Sequence, residues 1–191
     1  LRKIGIQQGD RVAGFMPNMP ETIIAMLATA SIGAIWSSSS PDFGIKGVLD
    51  RFTQIEPKVL FAANGYYYNG KKFDSLEKLN SILDQLPSVD HVVVTPYTDS
   101  NHNISSVKNG ILWDNFIDSN PSPLKFEQLP FQHPLYIMYS SGTTGLPKSI
   151  VHGAGGTLIQ HLKELRLHCN IYPEDTIFYF TACGWMMWNW L

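Results

Sequence analysis

Cysteine, excess charge of either sign and long apolar runs are all scarce in this chain of 191 residues. Two cysteines, Cys169 and Cys183, exclude a disulfide framework and a cysteine-rich zinc site, and we expect both to be buried thiols in a reducing compartment. The formal net charge of −2 offers no basic surface for nucleic acid. The apolar runs are too short to span a membrane. We therefore expect a globular cytosolic protein with no nucleic-acid partner.

Histidine occurs six times, but without the spacing of a metal site. His161 and His168 share a probable helix with Glu164, yet the chain contains no H-E-x-x-H pattern. We expect these side chains to lie on a solvated helix face, and we predict no metal ligands within the chain.

Extended and helical patterns alternate along the chain, which predicts an α/β fold with parallel sheet layers flanked by helices on both faces. Strands are predicted at 10–15, 34–37, 59–63, 92–94, 135–139, 149–152 and 176–181. Helices are predicted after Asn18 and after Asp42, each acting as an N-cap, at 72–86, at 113–117 and from about 156. The buried stripe of the first helix is expected to consist of Ile23, Ile24, Leu27 and Ala30. The tyrosines 66–68, followed by Asn69 and Gly70, predict a surface turn.

The segment most indicative of chemistry follows the strand at 135–139. It reads Tyr139-Ser140-Ser141-Gly142-Thr143-Thr144-Gly145-Leu146-Pro147-Lys148. Glycines allow backbone N–H groups to approach an anion, hydroxyls add hydrogen-bond donors, and a lysine adds a compact positive charge. This combination predicts a loop that wraps a polyphosphate, although clusters of serine, threonine and glycine also form ordinary turns.

The loop differs from the phosphate-binding loop of P-loop kinases and NTPases, whose pattern is G-x-x-x-x-G-K-[ST]. Gly142, Lys148 and Ser149 stand at the required offsets, but Pro147 replaces the second glycine and has no N–H to offer a phosphate. A strand, not a helix, is predicted after Lys148. Both differences argue against a P-loop enzyme.

The same ten residues resemble the phosphate-binding signature of the adenylate-forming superfamily, with Ser149 where glycine is common. Two further segments resemble short-chain acyl-CoA synthetases, and the second of them is similar to the acetoacetyl-CoA synthetase family. They are Gly33-Ala34-Ile35-Trp36-Ser37-Ser38-Ser39-Ser40-Pro41-Asp42-Phe43-Gly44 and Cys183-Gly184-Trp185-Met186-Met187-Trp188-Asn189-Trp190. The resemblance extends over the whole chain.

The resemblance implies an acid–thiol ligase. Such an enzyme activates a carboxylic acid, here acetoacetate, with ATP to an acyl-adenylate and transfers the acyl group to CoA. The implied phosphate-binding residues are Ser140, Ser141, Gly142, Thr143, Thr144, Gly145 and Lys148, with Lys148 also assigned a catalytic role. Trp185, Met186 and Met187 are implied to form a wall of the acyl pocket. His152 is equally compatible with substrate orientation and with a structural role.

The resemblance also implies that residues 1–191 are part of the N-terminal adenylation domain, because Leu1 is not a methionine and several family parts are missing. The expected Mg²⁺ ligand, the ribose-binding aspartate, the hinge and the small C-terminal domain lie outside this chain. We expect these residues alone to be inactive and to associate. Acetyl- or propionyl-CoA synthetase activity and a non-catalytic nucleotide-binding module remain alternatives.

Overall fold

A computed structural model describes residues 1–98, 103–120, 123–141 and 145–190. A sheet of seven strands has the order β7-β6-β3-β1-β2-β8-β9, and a separate hairpin pairs β4 with β5. The strands are β1 Arg11–Phe15, β2 Ile35–Ser39, β3 Val59–Ala63, β4 Gly65–Tyr68, β5 Lys71–Asp74, β6 His91–Thr95, β7 Gly110–Leu112, β8 Pro134–Ser140 and β9 Lys148–Gly153. Neighbouring strands of the large sheet are parallel except β8 and β9, which are antiparallel.

Helices cover both faces of the large sheet. They are α1 Pro20–Ser31, α2 Ile45–Ile55, α3 Leu76–Leu83, α4 Trp113–Phe116, α5 Ala154–Lys163 and α6 Met186–Trp190. One buried cluster contains Val48 and Phe52 of α2 with Leu79 of α3, and the other contains Ala25 of α1 with Trp113 of α4. The predicted fold class, a mostly parallel α/β sheet between helices, is confirmed. Within the described residues, no helix is both long and apolar enough to cross a membrane.

The predicted helix at 72–86 is wrong over its first residues, because 65–74 form a β-hairpin. Asn69 and Gly70 have φ angles of 48° and 70°, the left-handed conformations that a tight two-residue hairpin turn requires. The helix that follows begins at Leu76 and ends at Leu83. The predicted turn at 69–70 therefore exists, but it joins two strands.

The predicted buried stripe of α1 is also wrong. Ile23, Ile24 and Leu27 are 44%, 51% and 58% exposed, whereas the buried residues of this helix are Thr22, Ala25 and Thr29. Small side chains let the helix lie close to the sheet, and the Thr29 hydroxyl donates 2.7 Å to the carbonyl of Ala25. Ile23, Ile24 and Leu27 are thus largely exposed, whereas Met26 packs against the core.

Several other local predictions differ from the structure. Neither Asn18 nor Asp42 is an N-cap, since these positions belong to Met19 and Gly44. Residues 176–181 form no strand within the described part of the chain, and Phe178 and Phe180 are 86% and 87% exposed. Helix α5 has the predicted apolar spacing but buries none of its residues. Cys183 is buried as expected, but Cys169 is exposed.

Candidate functional site

The hydroxyl-rich loop joins two antiparallel strands at the end of the large sheet. Strand β8 ends at Ser140 and β9 begins at Lys148, and these two residues are directly paired. Helix α5 starts only at Ala154. The prediction that a strand follows the lysine is confirmed, so the loop differs from a P-loop, in which a helix begins at that point.

The described loop residues lie at or near the surface. Ser140 is half-buried, while Ser141, Gly145 and Lys148 are exposed. Within the described residues, no carboxylate forms an ion pair with the Lys148 ammonium. Gly142, Thr143 and Thr144 lie outside the described residues. The hairpin thus places Ser140 and Lys148 side by side, with Lys148 accessible to an anion.

Partly buried polar contacts hold β8 just before the loop. The Tyr139 hydroxyl donates 3.3 Å to the carbonyl of Arg51 in α2, and it accepts 3.2 Å from the hydroxyl of Ser37 in β2. Burial raises the pKa of Tyr139 to about 12, against the opposing effects of Ser37 and Arg51. The phenol therefore keeps its proton at neutral pH and remains a donor. Tyr139, the first residue of the predicted signature, is therefore held in place by contacts with α2 and β2.

The segment that carries Trp185, Met186 and Met187 is anchored at the carboxyl ends of β1, β2 and β8. The Ser38 hydroxyl donates to the carbonyl of Cys183. The indole Nε1 of Trp188 donates 2.8 Å to Oδ1 of Asn18, and Nδ2 of Asn189 donates 3.1 Å to Sδ of Met138. Because ligands of open α/β sheets bind beyond the carboxyl ends of the strands, α6 lies at the edge where a substrate is expected.

A cleft of about 540 Å³ opens at this edge. Trp185 and Met187 line it together with Asn18, and the tyrosines of the β4–β5 hairpin and Tyr97 line it as well. Met186 is 42% exposed and does not line this cleft. The structure therefore brings two of the three predicted acyl-pocket residues into one cavity. A cleft of about 660 Å³ elsewhere, between α1 and α4, contains none of the described site residues.

Two features of this cleft were missed in the sequence. The sequence predicts Asn18 as a helix cap, whereas its side chain accepts the hydrogen bond of Trp188. The sequence predicts a surface turn at the tyrosines 66–68, whereas all three line the cleft. Three consecutive tyrosines were the available signal, because exposed aromatic clusters are typical of binding surfaces.

His152 lies in β9 and packs on the ring of Tyr136 with 5.0 Å between ring centroids. Burial lowers its pKa, which favours the neutral imidazole. Its Nε2 is buried and has no hydrogen-bond partner among the described residues, so both roles that the sequence left open stay predictions. Within the described residues, no group of three or more histidines, cysteines and acidic residues could hold a metal ion.

Comparisons with known proteins agree over the whole chain. The chain is 57% identical over its full length to acetoacetyl-CoA synthetase of Gallus gallus, of which it covers 30%, and 58% identical to acetoacetyl-coenzyme A synthetase of Rhizobium meliloti (strain 1021), of which it covers 29%. The solved acetoacetyl-CoA synthetase from Streptomyces lividans matches all of it with a TM-score of 0.91 and 45% identity. The chain spans only 29% of that structure. A family model described as AMP-binding enzyme matches residues 1–190. The chain therefore belongs to the AMP-binding enzyme family.

Proposed function

We propose that the complete polypeptide containing this chain is an acetoacetate–CoA ligase, which uses ATP to form an acyl-adenylate and then transfers the acyl group to CoA. The observation that carries the proposal is the sequence identity of 57% and 58% to acetoacetyl-CoA synthetases of a bird and a bacterium, which extends over the whole chain. Identity at this level across such distant organisms favours one substrate class. ATP and CoA are the implied small-molecule partners of the acid.

The loop after β8 is proposed to bind the β- and γ-phosphates of ATP. The hydroxyls of Ser140, Ser141, Thr143 and Thr144 and the amides of Gly142 and Gly145 would donate hydrogen bonds. Lys148 would offset negative charge as pyrophosphate leaves, which makes it the proposed catalytic residue. The exposed position of Lys148 beside Ser140 supports this role.

The cleft bounded by Trp185 and Met187 is proposed to receive the acyl group. Bulky side chains leave little room, which favours a short acid. Met186 follows Trp185 directly and is proposed to contribute from the same segment. Mg²⁺ is proposed to accompany ATP. The resemblance to the adenylate-forming superfamily implies that its protein ligand lies outside this chain.

Residues 1–191 are proposed to be part of the N-terminal adenylation domain, without the C-terminal domain. The chain covers 29–30% of the length of each of these relatives, which supports this assignment. A cytosolic location is proposed because both cysteines are free thiols.

Acid-dependent exchange of pyrophosphate into ATP by the complete polypeptide tests the function. Acetoacetate should support exchange with a higher kcat/KM than acetate or propionate. A preference for acetate or propionate would assign the protein to another acyl-CoA synthetase. The absence of exchange with every acid would favour a non-catalytic nucleotide-binding module.

A further inference from the structure

A glutamine of helix α2 contacts both neighbours of Lys148. Nε2 of Gln54 donates 2.9 Å to the carbonyl of Pro147, and Oε1 of Gln54 accepts 3.0 Å from the hydroxyl of Ser149. The two ends of one carboxamide thus contact the residues before and after the lysine, one through its backbone carbonyl and the other through its side chain. A carboxamide supplies N–H donors on one side and a carbonyl acceptor on the other, so one side chain can make both contacts.

Helix α2 packs on the core, which fixes the backbone that carries Gln54. Phe52 and Ile55, on either side of Gln54, are buried in the cluster between α2, α3 and the sheet. One turn earlier, the Arg51 guanidinium lies 4.6 Å above the ring of Phe43 and 5.6 Å from that of Tyr139, whose hydroxyl donates to the Arg51 carbonyl. The second half of α2 therefore holds both strands of the hairpin, β8 through Arg51 and β9 through Gln54.

The hydroxyl of Ser149 stands where the family signature commonly has glycine. A glycine has no side chain to donate to Gln54, so this contact depends on the residue that departs from the signature. The serine at position 149 thus adds a hydrogen bond between the end of the loop and α2. A carboxamide hydrogen-bonded on both sides also loses rotational freedom before any ligand binds, which favours preorganisation of the lysine between its two contacts.

We propose that Gln54 and Ser149 are positioning residues, which hold the backbone around Lys148 so that its ammonium meets the phosphates of ATP in a fixed place. This inference rests on the proposed function of the loop. Neither residue is assigned a contact with substrate. Their effect is expected on the affinity for ATP and not on the affinity for the acid.

The test compares Gln54→Ala, Ser149→Gly and the double variant in the complete polypeptide. ATP affinity is measured by calorimetry without acid, and KM values for ATP and acetoacetate are measured by pyrophosphate exchange. Ser149→Gly removes one exposed hydrogen bond and should weaken ATP binding about threefold, while Gln54→Ala removes both contacts and should weaken it about tenfold. Ser149→Gly should add nothing in the Gln54→Ala background, because the shared contact is already lost. The KM for acetoacetate and the melting temperature should stay unchanged.

Gln85→Ala is the matched control. Gln85 is also an exposed glutamine, and within the described residues its side chain hydrogen-bonds the carbonyl of Ser81, four residues earlier, and no other group. Gln54 makes the same kind of contact with the carbonyl of Asp50 in addition to its two contacts beside Lys148. Gln85→Ala should leave ATP affinity unchanged. Ser149→Thr keeps the hydroxyl and should retain wild-type ATP affinity, which separates the hydrogen bond from a change of backbone freedom.

The outcomes separate this inference from the function on which it rests. If Gln54→Ala and Ser149→Gly leave ATP affinity unchanged while Lys148→Ala weakens it, the positioning role is wrong and the phosphate-binding role stands. Additive effects of the two substitutions would also overturn the proposed pair. If Lys148→Ala itself leaves ATP affinity and exchange unchanged, the phosphate-binding role fails, and the positioning role fails with it.

Discussion

Lys148 combines a backbone held in a strand with a side chain exposed to solvent. Its backbone pairs with Ser140 across the hairpin, and the residues on either side of it contact Gln54. The ammonium can therefore approach an anion without reorganisation of the chain that carries it. Preorganised charge of this kind contributes more to catalysis than a mobile charge, because no further ordering is needed as charge develops.

Lys148→Ala should slow acid-dependent pyrophosphate exchange by about tenfold to a hundredfold, the size of one lost charge-assisted hydrogen bond. The measurement is exchange by the complete polypeptide at saturating acetoacetate. Lys108→Ala, which removes an exposed lysine at a site apart from the loop, is the control and should leave the rate unchanged. Exchange at the wild-type rate in Lys148→Ala would contradict the assigned role.

Met187 sets the length of the acid that fits the cleft, if its proposed position in the acyl pocket is correct. Met187→Ala should raise the ratio of kcat/KM for hexanoate to that for acetoacetate about tenfold, because space for additional methylenes opens beside Trp185. Met26→Ala removes the same volume from the partly buried face of α1 and should leave the ratio unchanged. An unchanged ratio in Met187→Ala would place the acyl group elsewhere.

Single strands could be predicted well where the chain is continuously apolar. Strand β3 has the predicted bounds, and the predicted 92–94 lies within β6. The β4–β5 hairpin could not be predicted with the same success, because the apolar spacing of α3 extends backwards to Phe73. Stacking of Tyr66 on Phe73, at 5.1 Å between ring centroids, connects the two strands. A contact between neighbouring strands thus outweighed the helical pattern of one segment.

Close packing of β1 on β2 requires a glycine at position 14. A Cβ there would lie 2.7 Å from Cη2 of Trp36, a ring that is only 1% exposed. Gly14→Ala should lower the free energy of unfolding by about 1–3 kcal/mol, as overpacking of a well-filled core does. Urea unfolding of the complete polypeptide measures the change.

Gly156→Ala is the control for this substitution. Gly156 lies in helix α5, and a Cβ there would meet nothing within 4 Å. It should be neutral or stabilising by up to about 1 kcal/mol. Equal stability of Gly14→Ala and the wild type would show that Trp36 can move, contrary to its tight burial.

The described part of the molecule leaves large apolar side chains uncovered on several elements. Leu158, Ile159 and Leu162 of α5 are 61%, 59% and 54% exposed, and the exposed residues of α1 and of segment 176–181 add to this surface. Groups of exposed large apolar side chains are typical of interaction surfaces. The chain also covers only 29–30% of the length of its relatives. Both observations support the proposal that further chain covers the exposed apolar side chains.

The 191 residues expressed alone should therefore associate and should not catalyse pyrophosphate exchange. Analytical ultracentrifugation should detect species larger than a 21.4 kDa monomer, with the complete polypeptide as the reference for activity. A monomeric and active preparation would contradict both expectations.

Local residue types were sufficient to predict the alternating α/β pattern, the loop after β8 and the resemblance that led to the family. Each depends on neighbours within a few positions, where propensity and spacing act directly. The contacts that shape the site join residues that are far apart in the sequence. Gln54 and Ser149 are 95 residues apart, and Asn18 and Trp188 are 170 apart. They meet because the sheet places β1, β2 and β8 side by side, and a strand's apolar pattern does not encode which strand becomes its neighbour.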